Sequence, residues 1–408
     1  MKVSAILLGE TPVRLWGLTS RQYLGRVLVH AGVNEFPDDL DAVPERGSVL
    51  LLRSDYLYDE RVVRKLAGTP EVLLEIRSGK ERLPVAAHVP SGLAALARDV
   101  LLGEASSEVL TGIRRDIPET FSSSYQEQLL KFDIPYVLPI TPENRKALER
   151  RLFTGAYKGV TDLVTKWAWP GPAKWATGLC VRWGLRPNHV TAASLALVLF
   201  AGVLFLLGEF GLGLLAGWMM TFLDTVDGKL ARVTVTYSKL GHLFDHVIDL
   251  AHPPLWYIAW GLGLPFFHPG IPGLTLPSAL WVIVAGYVVG RLAEGAFLKW
   301  LGTFGVFCWR PVDAYFRLIT ARRNPNLILL SASAAAGRPD LGLLAVAAWT
   351  VATSLFLVAR LAMGWRAMVR SGPLRSWLQE IDPGVENGSL AVRLFTHRSG
   401  AQSGGSHG

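Results

Sequence analysis

Four aspartates fall close together within a strongly apolar part of the sequence. Asp224 and Asp227 are three residues apart, and Asp245 and Asp249 are four apart, so each pair lies on one face if its segment is helical. A carboxylate at the centre of a membrane helix costs about 3 kcal/mol, so this group requires a compensating partner. Oxygen ligands of this kind suit Mg²⁺ or Mn²⁺ rather than Zn²⁺. The spacing therefore predicts a divalent-metal site where two helices face each other.

Small residues accompany these carboxylates. Gly228, Ala231 and Gly241 lie beside them in the sequence, and residues without bulk let a large ligand or a neighbouring backbone approach closely. Together with a metal ion, they indicate binding of a phosphate ester at the membrane surface. A transporter with an intramembrane carboxylate relay is the alternative class, but a relay does not require the small residues or Arg232.

The composition indicates a membrane protein with two domains. Half of the 408 residues are hydrophobic, the mean hydropathy is +0.30, and the 14 tryptophans suit a protein with interfacial aromatic anchors. Long apolar runs begin only near Asn188, after a region that mixes charged turns with short strands and helices. These runs predict about six membrane spans, at 189–208, 210–226, 244–263, 276–297, 324–337 and 341–363.

Positive charge gathers on one side of the predicted spans. The net charge is +8, and basic residues cluster before the first span and after the second, fourth and sixth, whereas residues 263–278 contain no Lys or Arg. The positive-inside rule then places the aspartates and both termini in the cytoplasm, in a multi-pass protein of the inner (cytoplasmic) membrane. Because Lys and Arg track the membrane edges, we predict no nucleic-acid partner.

The full spacing D-x2-D-G-x2-A-R-x8-G-x3-D-x3-D resembles the signature of the CDP-alcohol phosphatidyltransferase family. The matching positions are Asp224, Asp227, Gly228, Ala231, Arg232, Gly241, Asp245 and Asp249. Fixed residues at fixed spacing in a membrane context are far more specific than a lone glycine motif. The resemblance implies an all-α polytopic membrane domain over residues 188–370, preceded by an interfacial amphipathic helix in a junction at 146–187. It also implies a homodimer in the lipid bilayer.

In enzymes of that family, a CDP-alcohol gives its phosphoryl-alcohol group to an acceptor hydroxyl, and CMP leaves. The resemblance implies that the four aspartates hold two Mg²⁺ or Mn²⁺ ions and that Asp249 takes the proton from the hydroxyl. The residues it implies for CDP binding are Gly228, Ala231, Arg232, Gly241, Asn188 and Thr191. Arg322 and Arg323 are candidates for binding the phosphate of an anionic acceptor, or they simply follow the positive-inside rule.

Residues 1–145 predict a separate α/β domain with a Rossmann-like pattern of strands and helices. The order of the two halves resembles fused inositol-phosphate cytidylyltransferase and di-inositol-phosphate phosphate synthase enzymes, which begin with a nucleotidyltransferase domain. Asp55 stands where those enzymes keep a metal-binding aspartate. However, Pro12 removes a backbone donor from the loop GETPVR, and Ile140 replaces the second metal aspartate. We therefore interpret the domain as a degenerate nucleotidyltransferase.

Several alternatives stay open from the sequence. A bifunctional enzyme with an active N-terminal cytidylyltransferase competes with a silent N-terminal domain. The fused organisation favours CDP-inositol or CDP-diacylglycerol as donor and a polyol phosphate as acceptor, while the hydroxyl of a ceramide or a diacylglycerol is a further acceptor. The tail at 382–408 ends in a run of glycine and serine and is predicted to be disordered.

Overall fold

The computed structural model describes residues 3–44, 47–237, 239–381 and 389–396, and of residues 239–246 it describes the backbone alone. The strands are β1 (Val3–Leu8), β2 (Arg14–Leu15), β3 (Leu18–Thr19), β4 (Ser48–Arg53), β5 (Tyr56–Tyr58), β6 (Val72–Ser78), β7 (Glu81–Pro90), β8 (Arg114–Asp116), β9 (Tyr125–Gln126), β10 (Lys131–Phe132) and β11 (Val137–Pro139). The α-helices are α1 (Ser20–His30), α2 (Glu60–Ala67), α3 (Ala94–Leu102), α4 (Pro118–Phe121), α5 (Arg145–Gly155), α6 (Pro170–Arg182), α7 (Pro187–Leu206), α8 (Phe210–Val233), α9 (Lys239–Leu262), α10 (Leu276–Trp300), α11 (Pro311–Ile319), α12 (Arg323–Ala335), α13 (Pro339–Ser371) and α14 (Leu390–Phe395). An α/β region therefore precedes a helical region, as the sequence predicts.

The N-terminal sheet is mixed. Its order is β1-β4-β7-β6-β8; β1 runs parallel to β4 and β6 runs parallel to β8, whereas β7 is antiparallel to both of its neighbours. The parallel pair β1 and β4 requires a crossover connection, which contains α1. α1 begins after Thr19, whose side-chain oxygen accepts a hydrogen bond from the Gln22 backbone N–H. In return, the Gln22 side chain accepts one from the Thr19 backbone N–H. The predicted α/β character of this region is confirmed here.

Both faces of this sheet are covered. Alternate residues of β4 point to opposite sides, so Leu50 and Leu52 join a core with α1 and α2, while Val49 and Leu51 join a second core with α3. All four are fully buried, which explains why β4 reads as a continuous apolar run. The N-terminal region is thus a layered α/β unit.

Helices occupy the positions of all six predicted spans, namely α7, α8, α9, α10, α12 and α13. Among the described helices, α7, α10 and α13 are long and apolar enough to cross a membrane. α12 has 13 residues, which at 1.5 Å each reach only about 20 Å of a hydrocarbon core roughly 30 Å thick. The structure supports a helical region with three candidate spans among the described helices, and six spans stay a prediction.

The predicted interfacial helix corresponds to α6 and the single π-helical turn before it at Val164–Ala168. Trp167, Trp175 and Trp183 project from this segment with more than half of each side chain exposed, at 56%, 71% and 68%. Such exposed indole rings are typical of residues at a membrane–water interface.

One hydrophobic core crosses the predicted boundary between the domains. Leu15 and Trp16 from the N-terminal region, Phe153 from α5 and Val226 and Leu230 from α8 all belong to it. The Trp16 ring stacks on Phe153 at 5.8 Å, and its Nε1 donates to the Glu149 carbonyl at 3.0 Å. The N-terminal domain is therefore packed on the end of α8 that carries the aspartate pattern.

The C-terminal segment corrects one sequence prediction. Residues 389–396 were predicted to be disordered, but Leu390–Phe395 form α14, and Phe395 is 1% exposed. Its carbonyl oxygen lies so close to Gly159 that a β-carbon there would meet it at 2.8 Å. Burial of an aromatic residue offsets the entropy of ordering this short helix. Residues 382–388 and 397–408 lie outside the described part of the chain.

Candidate active site

The first half of the aspartate pattern lies on α8 and packs against α7. Thr191 of α7 donates a hydrogen bond from Oγ1 to Asp227 Oδ2 at 2.7 Å. Asp227 is 6% exposed, so this bond satisfies a carboxylate that water hardly reaches. Asn188, at the start of α7, is exposed. Thr191, expected to bind CDP, thus contacts a predicted metal ligand.

Arg323 joins the two halves of the pattern. From the start of α12, its Nη2 donates to Asp224 Oδ2 at 2.5 Å and its Nη1 donates to Asp249 Oδ1 at 2.7 Å. A guanidinium between two carboxylates offsets their mutual repulsion through charge-assisted hydrogen bonds. α8, α9 and α12 therefore converge at this point.

The second half of the pattern is only partly described. The backbone of α9 places Gly241 before Asp245 and Asp245 one turn before Asp249. The side chain of Asp245, a predicted metal ligand, lies outside the described residues, as does any role of Gly241 in binding CDP.

The residues between the aspartates of α8 and its end contact the domain junction. Arg232 Nη1 donates to the carbonyl of Ala156 at 3.2 Å and to that of Gly228 at 3.2 Å. The neighbouring Lys229 is buried, donates to the same Ala156 carbonyl at 3.1 Å, and lies 3.7 Å from the centre of the Tyr157 ring. A β-carbon at Gly228 would make only an ordinary contact with Arg232, at 3.5 Å, so packing inside the protein does not require glycine there. A glycine at this position is consistent with space for a ligand.

The carboxylates fit a hard divalent cation by their chemistry. Asp224, Asp227 and Asp249 offer oxygen donors, and Asp227 interacts electrostatically with both of the others. Among the side chains that the structure describes, no three His, Cys, Asp or Glu residues form a metal-binding group. The predicted fourth ligand, Asp245, is not among those side chains. Metal binding thus stays a prediction that rests on donor chemistry.

A basic cavity of about 240 Å³ lies directly beside Asp249. Its walls carry two carboxylates, Asp162 and Asp249, and five cationic side chains: Lys158, Arg291, Arg317, Arg322 and Arg323. Glu294 forms an ion pair with both Arg291 and Arg322, which holds these two guanidinium groups in place. Asn324 Nδ2 donates to Asp162 Oδ1 at 2.9 Å on another wall. The excess of positive charge favours an anionic occupant.

Two buried donors at this cavity have no partner among the described residues. They are Nη1 of Arg317 and Nε of Arg322. A buried N–H group without an acceptor costs about 1–3 kcal/mol, and more when it is charged. An anion that reached these two N–H groups would remove this cost for both arginines.

The surroundings of Lys158 in this cavity lower its pKa. The cause is partial desolvation by the surrounding protein, together with the neighbouring charges of Arg232, Arg317 and Arg322, although the residue keeps contact with solvent. Lys158 lies in the turn between α5 and the π-helical segment, outside the helices that correspond to predicted spans. An anion in the cavity would favour its charged form.

The structure separates the two arginines that the sequence pairs as acceptor ligands. Both line the cavity, but Arg322 pairs with Glu294 and keeps an unpartnered Nε, whereas Arg323 is engaged by two aspartates. The sequence did not assign Lys158, Arg291 or Arg317 to this site. The sequence could have identified Arg291, since an arginine inside an apolar helix is a functional candidate by default. Lys158 and Arg317 stood among other basic residues, and nothing distinguished them.

The N-terminal residues that correspond to a nucleotidyltransferase metal site contact residues close to them in the N-terminal domain. Asp55 accepts hydrogen bonds from Arg53 Nε at 3.1 Å and Arg53 Nη2 at 2.6 Å. Ile140 lies next to it, donating its backbone N–H to the Asp55 carbonyl at 2.8 Å, and its side chain is buried in the core. Arg14 reaches the carbonyl of Gly17 at 3.3 Å. The single carboxylate is thus neutralised by its own strand, beside an apolar residue.

Comparison with known proteins agrees with the geometry of the helical region. Residues 185–369 match the model of the CDP-alcohol phosphatidyltransferase family, which covers every residue of the aspartate pattern. No curated protein matches the chain. The family transfers from a CDP-alcohol donor to a hydroxyl acceptor, so this part of the chain supports an enzyme of that type in a membrane.

Proposed function

We propose that the protein is an integral membrane CDP-alcohol phosphotransferase whose acceptor carries an anionic group, as a polyol phosphate does. The family match over residues 185–369 supports the reaction class. The observation that carries the acceptor class is the basic cavity beside Asp249, with its two unpartnered guanidinium N–H groups.

The acceptor phosphate is proposed to lie between Arg317 and Arg322. Each charge-assisted hydrogen bond contributes about 1.5–3 kcal/mol, and the bond geometry is fixed because Glu294 already orients Arg322. The hydroxyl of a ceramide or a diacylglycerol brings no anion into the cavity, so it would leave the same donors unsatisfied. An inositol phosphate fits this class, with CDP-inositol or CDP-diacylglycerol as donor.

Asp249 is proposed to act as the general base. Its side chain is 41% exposed and lines the cavity, so an acceptor hydroxyl there comes within its reach. The hydroxyl loses its proton to Asp249, its oxygen bonds to the phosphorus that carries the donor alcohol, and the bond from that phosphorus to the CMP oxygen breaks. Mg²⁺ or Mn²⁺ held by the aspartates supplies, when bound, neutralisation of the pyrophosphate charge.

Gly228, Ala231 and Arg232 are proposed to form the CDP side of the site with Asn188, Thr191 and Gly241. Arg232 is held by the carbonyl of Ala156, and this contact ties the donor side to the same junction that carries Lys158. Donor and acceptor sites would then share one rigid segment.

The site is proposed to face the cytoplasm. The N-terminal domain packs on the aspartate end of α8, so these two parts lie on the same side of the helices. The segment between α9 and α10, which has no Lys or Arg over residues 263–278, contacts the start of α13 through His268 and Asp340 instead. The homodimer implied by the family resemblance stays a prediction.

The test is release of CMP by the purified full-length protein. CDP-inositol and CDP-diacylglycerol serve as donors, and inositol phosphate and glycerol phosphate are compared with inositol, glycerol and diacylglycerol as acceptors. We expect CMP release with a phosphorylated acceptor and little with its unphosphorylated counterpart. Equal rates with both members of a pair would contradict the acceptor class, and no CMP from any combination would contradict the reaction.

A further inference from the structure

The loop between α8 and α9 connects the two halves of the aspartate pattern. Val235 in this loop has φ of +49°, a conformation that a β-branched residue adopts only when its surroundings enforce it. Val235 is 2% exposed and belongs to the core that contains the N-terminal sheet and α1. The strained residue is therefore packed into the core that the N-terminal domain shares with α8.

Polar contacts from α1 and α2 hold the residues on either side of Val235. Arg26 Nη1 of α1 donates to the carbonyl of Thr234 at 2.6 Å. The hydroxyl of Tyr237 donates to Glu60 Oε2 of α2 at 2.8 Å, and the His30 ring stacks on the Tyr237 ring at 4.2 Å. These contacts join residues about 180 to 210 apart in the sequence and all converge on the loop from one side.

We propose that Arg26 and Glu60 of the N-terminal domain are positioning residues for the aspartates of α9, an inference that rests on the proposed function. α9 begins at Lys239, directly after this loop, so the place of the loop sets where Asp245 and Asp249 stand relative to Asp224. Catalysis depends on such placement, because a displacement of about 1 Å can cost roughly a hundredfold in rate. This positioning role of the N-terminal domain requires no bound nucleotide.

The experiment measures Mn²⁺ binding to the full-length protein by electron paramagnetic resonance, without substrate. Arg26→Ala removes the contact with Thr234. Tyr237→Phe removes only the hydroxyl that donates a hydrogen bond to Glu60. The matched control is Arg114→Ala, which breaks an ion pair with Asp116 on β8, at the other edge of the sheet. Thermal unfolding of each variant shows that it is folded.

We expect the dissociation constant for Mn²⁺ to rise roughly tenfold in Arg26→Ala and in Tyr237→Phe, as it does when an outer partner of a metal ligand is lost. Arg26→Lys should restore most of the affinity, since its ammonium can donate to the same carbonyl. In the same variants kcat should fall with little change in KM, because placement rather than substrate contact is altered.

Wild-type affinity in both variants would overturn the proposal, as would a loss of the same size in Arg114→Ala. Absence of Mn²⁺ binding to the wild-type protein would overturn it together with the metal assignment. Failure of the proposed function would look different: no CMP release from any donor and acceptor, with the Mn²⁺ titrations still ranking the variants as expected.

Discussion

Asp55 and Asp249 are both carboxylates that accept from an arginine, and their surroundings differ in an instructive way. Asp55 is bound by both Nε and Nη2 of Arg53, two residues away on the same chain segment. Asp249 is bound by Arg323 from a different helix, and it also borders a cavity lined by cationic side chains. An ion pair between residues close in sequence neutralises a carboxylate but brings no other element of the fold to it. A long-range pair brings several elements together and leaves room for a ligand between them.

The largest expected effect is that of the same substitution at these two aspartates. Asp249→Asn should lower CMP release by about a thousandfold, because an amide cannot accept the hydroxyl proton. Asp55→Asn should leave the rate within about twofold when the CDP-alcohol is supplied, since surface changes away from a site have small effects. Steady-state CMP release by the two full-length variants measures this contrast. Substantial turnover by Asp249→Asn would show that another group is the base.

The arginines offer the next contrast. Arg317→Ala should raise KM for a phosphorylated acceptor by roughly thirtyfold, which corresponds to loss of about 2 kcal/mol of charge-assisted hydrogen bonding. Arg53→Ala, the matched change beside Asp55, should not alter KM for either substrate. KM for the CDP-alcohol should stay constant in both variants. A rise in the KM for the CDP-alcohol with Arg317→Ala would show that this arginine binds the donor, contrary to the proposal.

The pH dependence of kcat/KM tests the same assignment of the basic cavity to the acceptor, and its expected effect is smaller. The Lys158 charge is present below its pKa and is lost as pH rises through that pKa, which lies below the ordinary lysine value of 10.5. For an anionic acceptor kcat/KM should therefore fall by roughly tenfold on the alkaline side, beginning at a lower pH than for an ordinary lysine. Lys158→Arg should move the fall to higher pH. If kcat/KM for the CDP-alcohol donor falls over the same range, Lys158 does not act on the acceptor alone.

The smallest expected effect concerns the N-terminal domain alone. The full-length Asp249→Asn protein, supplied with CTP and inositol phosphate or glycerol phosphate, should release no pyrophosphate. One carboxylate already paired with Arg53 binds a divalent ion weakly, and Ile140 offers no second ligand. The full chain is the proper material because the core of this domain includes Phe153, Val226 and Leu230. Pyrophosphate release at an enzyme-like rate would make the protein bifunctional.

Local patterns carried much of the fold. β4 was predictable because a continuous apolar run ends at a polar turn, and α1 because Thr19 and Gln22 form a capping box. The α14 helix was not, since a short segment in a glycine-rich tail gains its order only when the Phe395 ring finds a pocket beside Tyr315 and Trp377. Local propensity holds no information about that pocket.

The sequence by itself determined which reaction class to predict, because two pairs of aspartates at helical spacing with small residues between them are a pattern that is complete within a few turns of helix. Only the tertiary structure decided which cations line the cavity beside Asp249. Arg322 and Arg323 are adjacent in sequence and both line the cavity, yet Arg322 pairs with Glu294 and Arg323 holds Asp224 and Asp249. Lys158 and Arg317 join that cavity from segments far apart in the chain. Charge acts through space over several ångströms, so its partners are set by packing, which a linear pattern does not record.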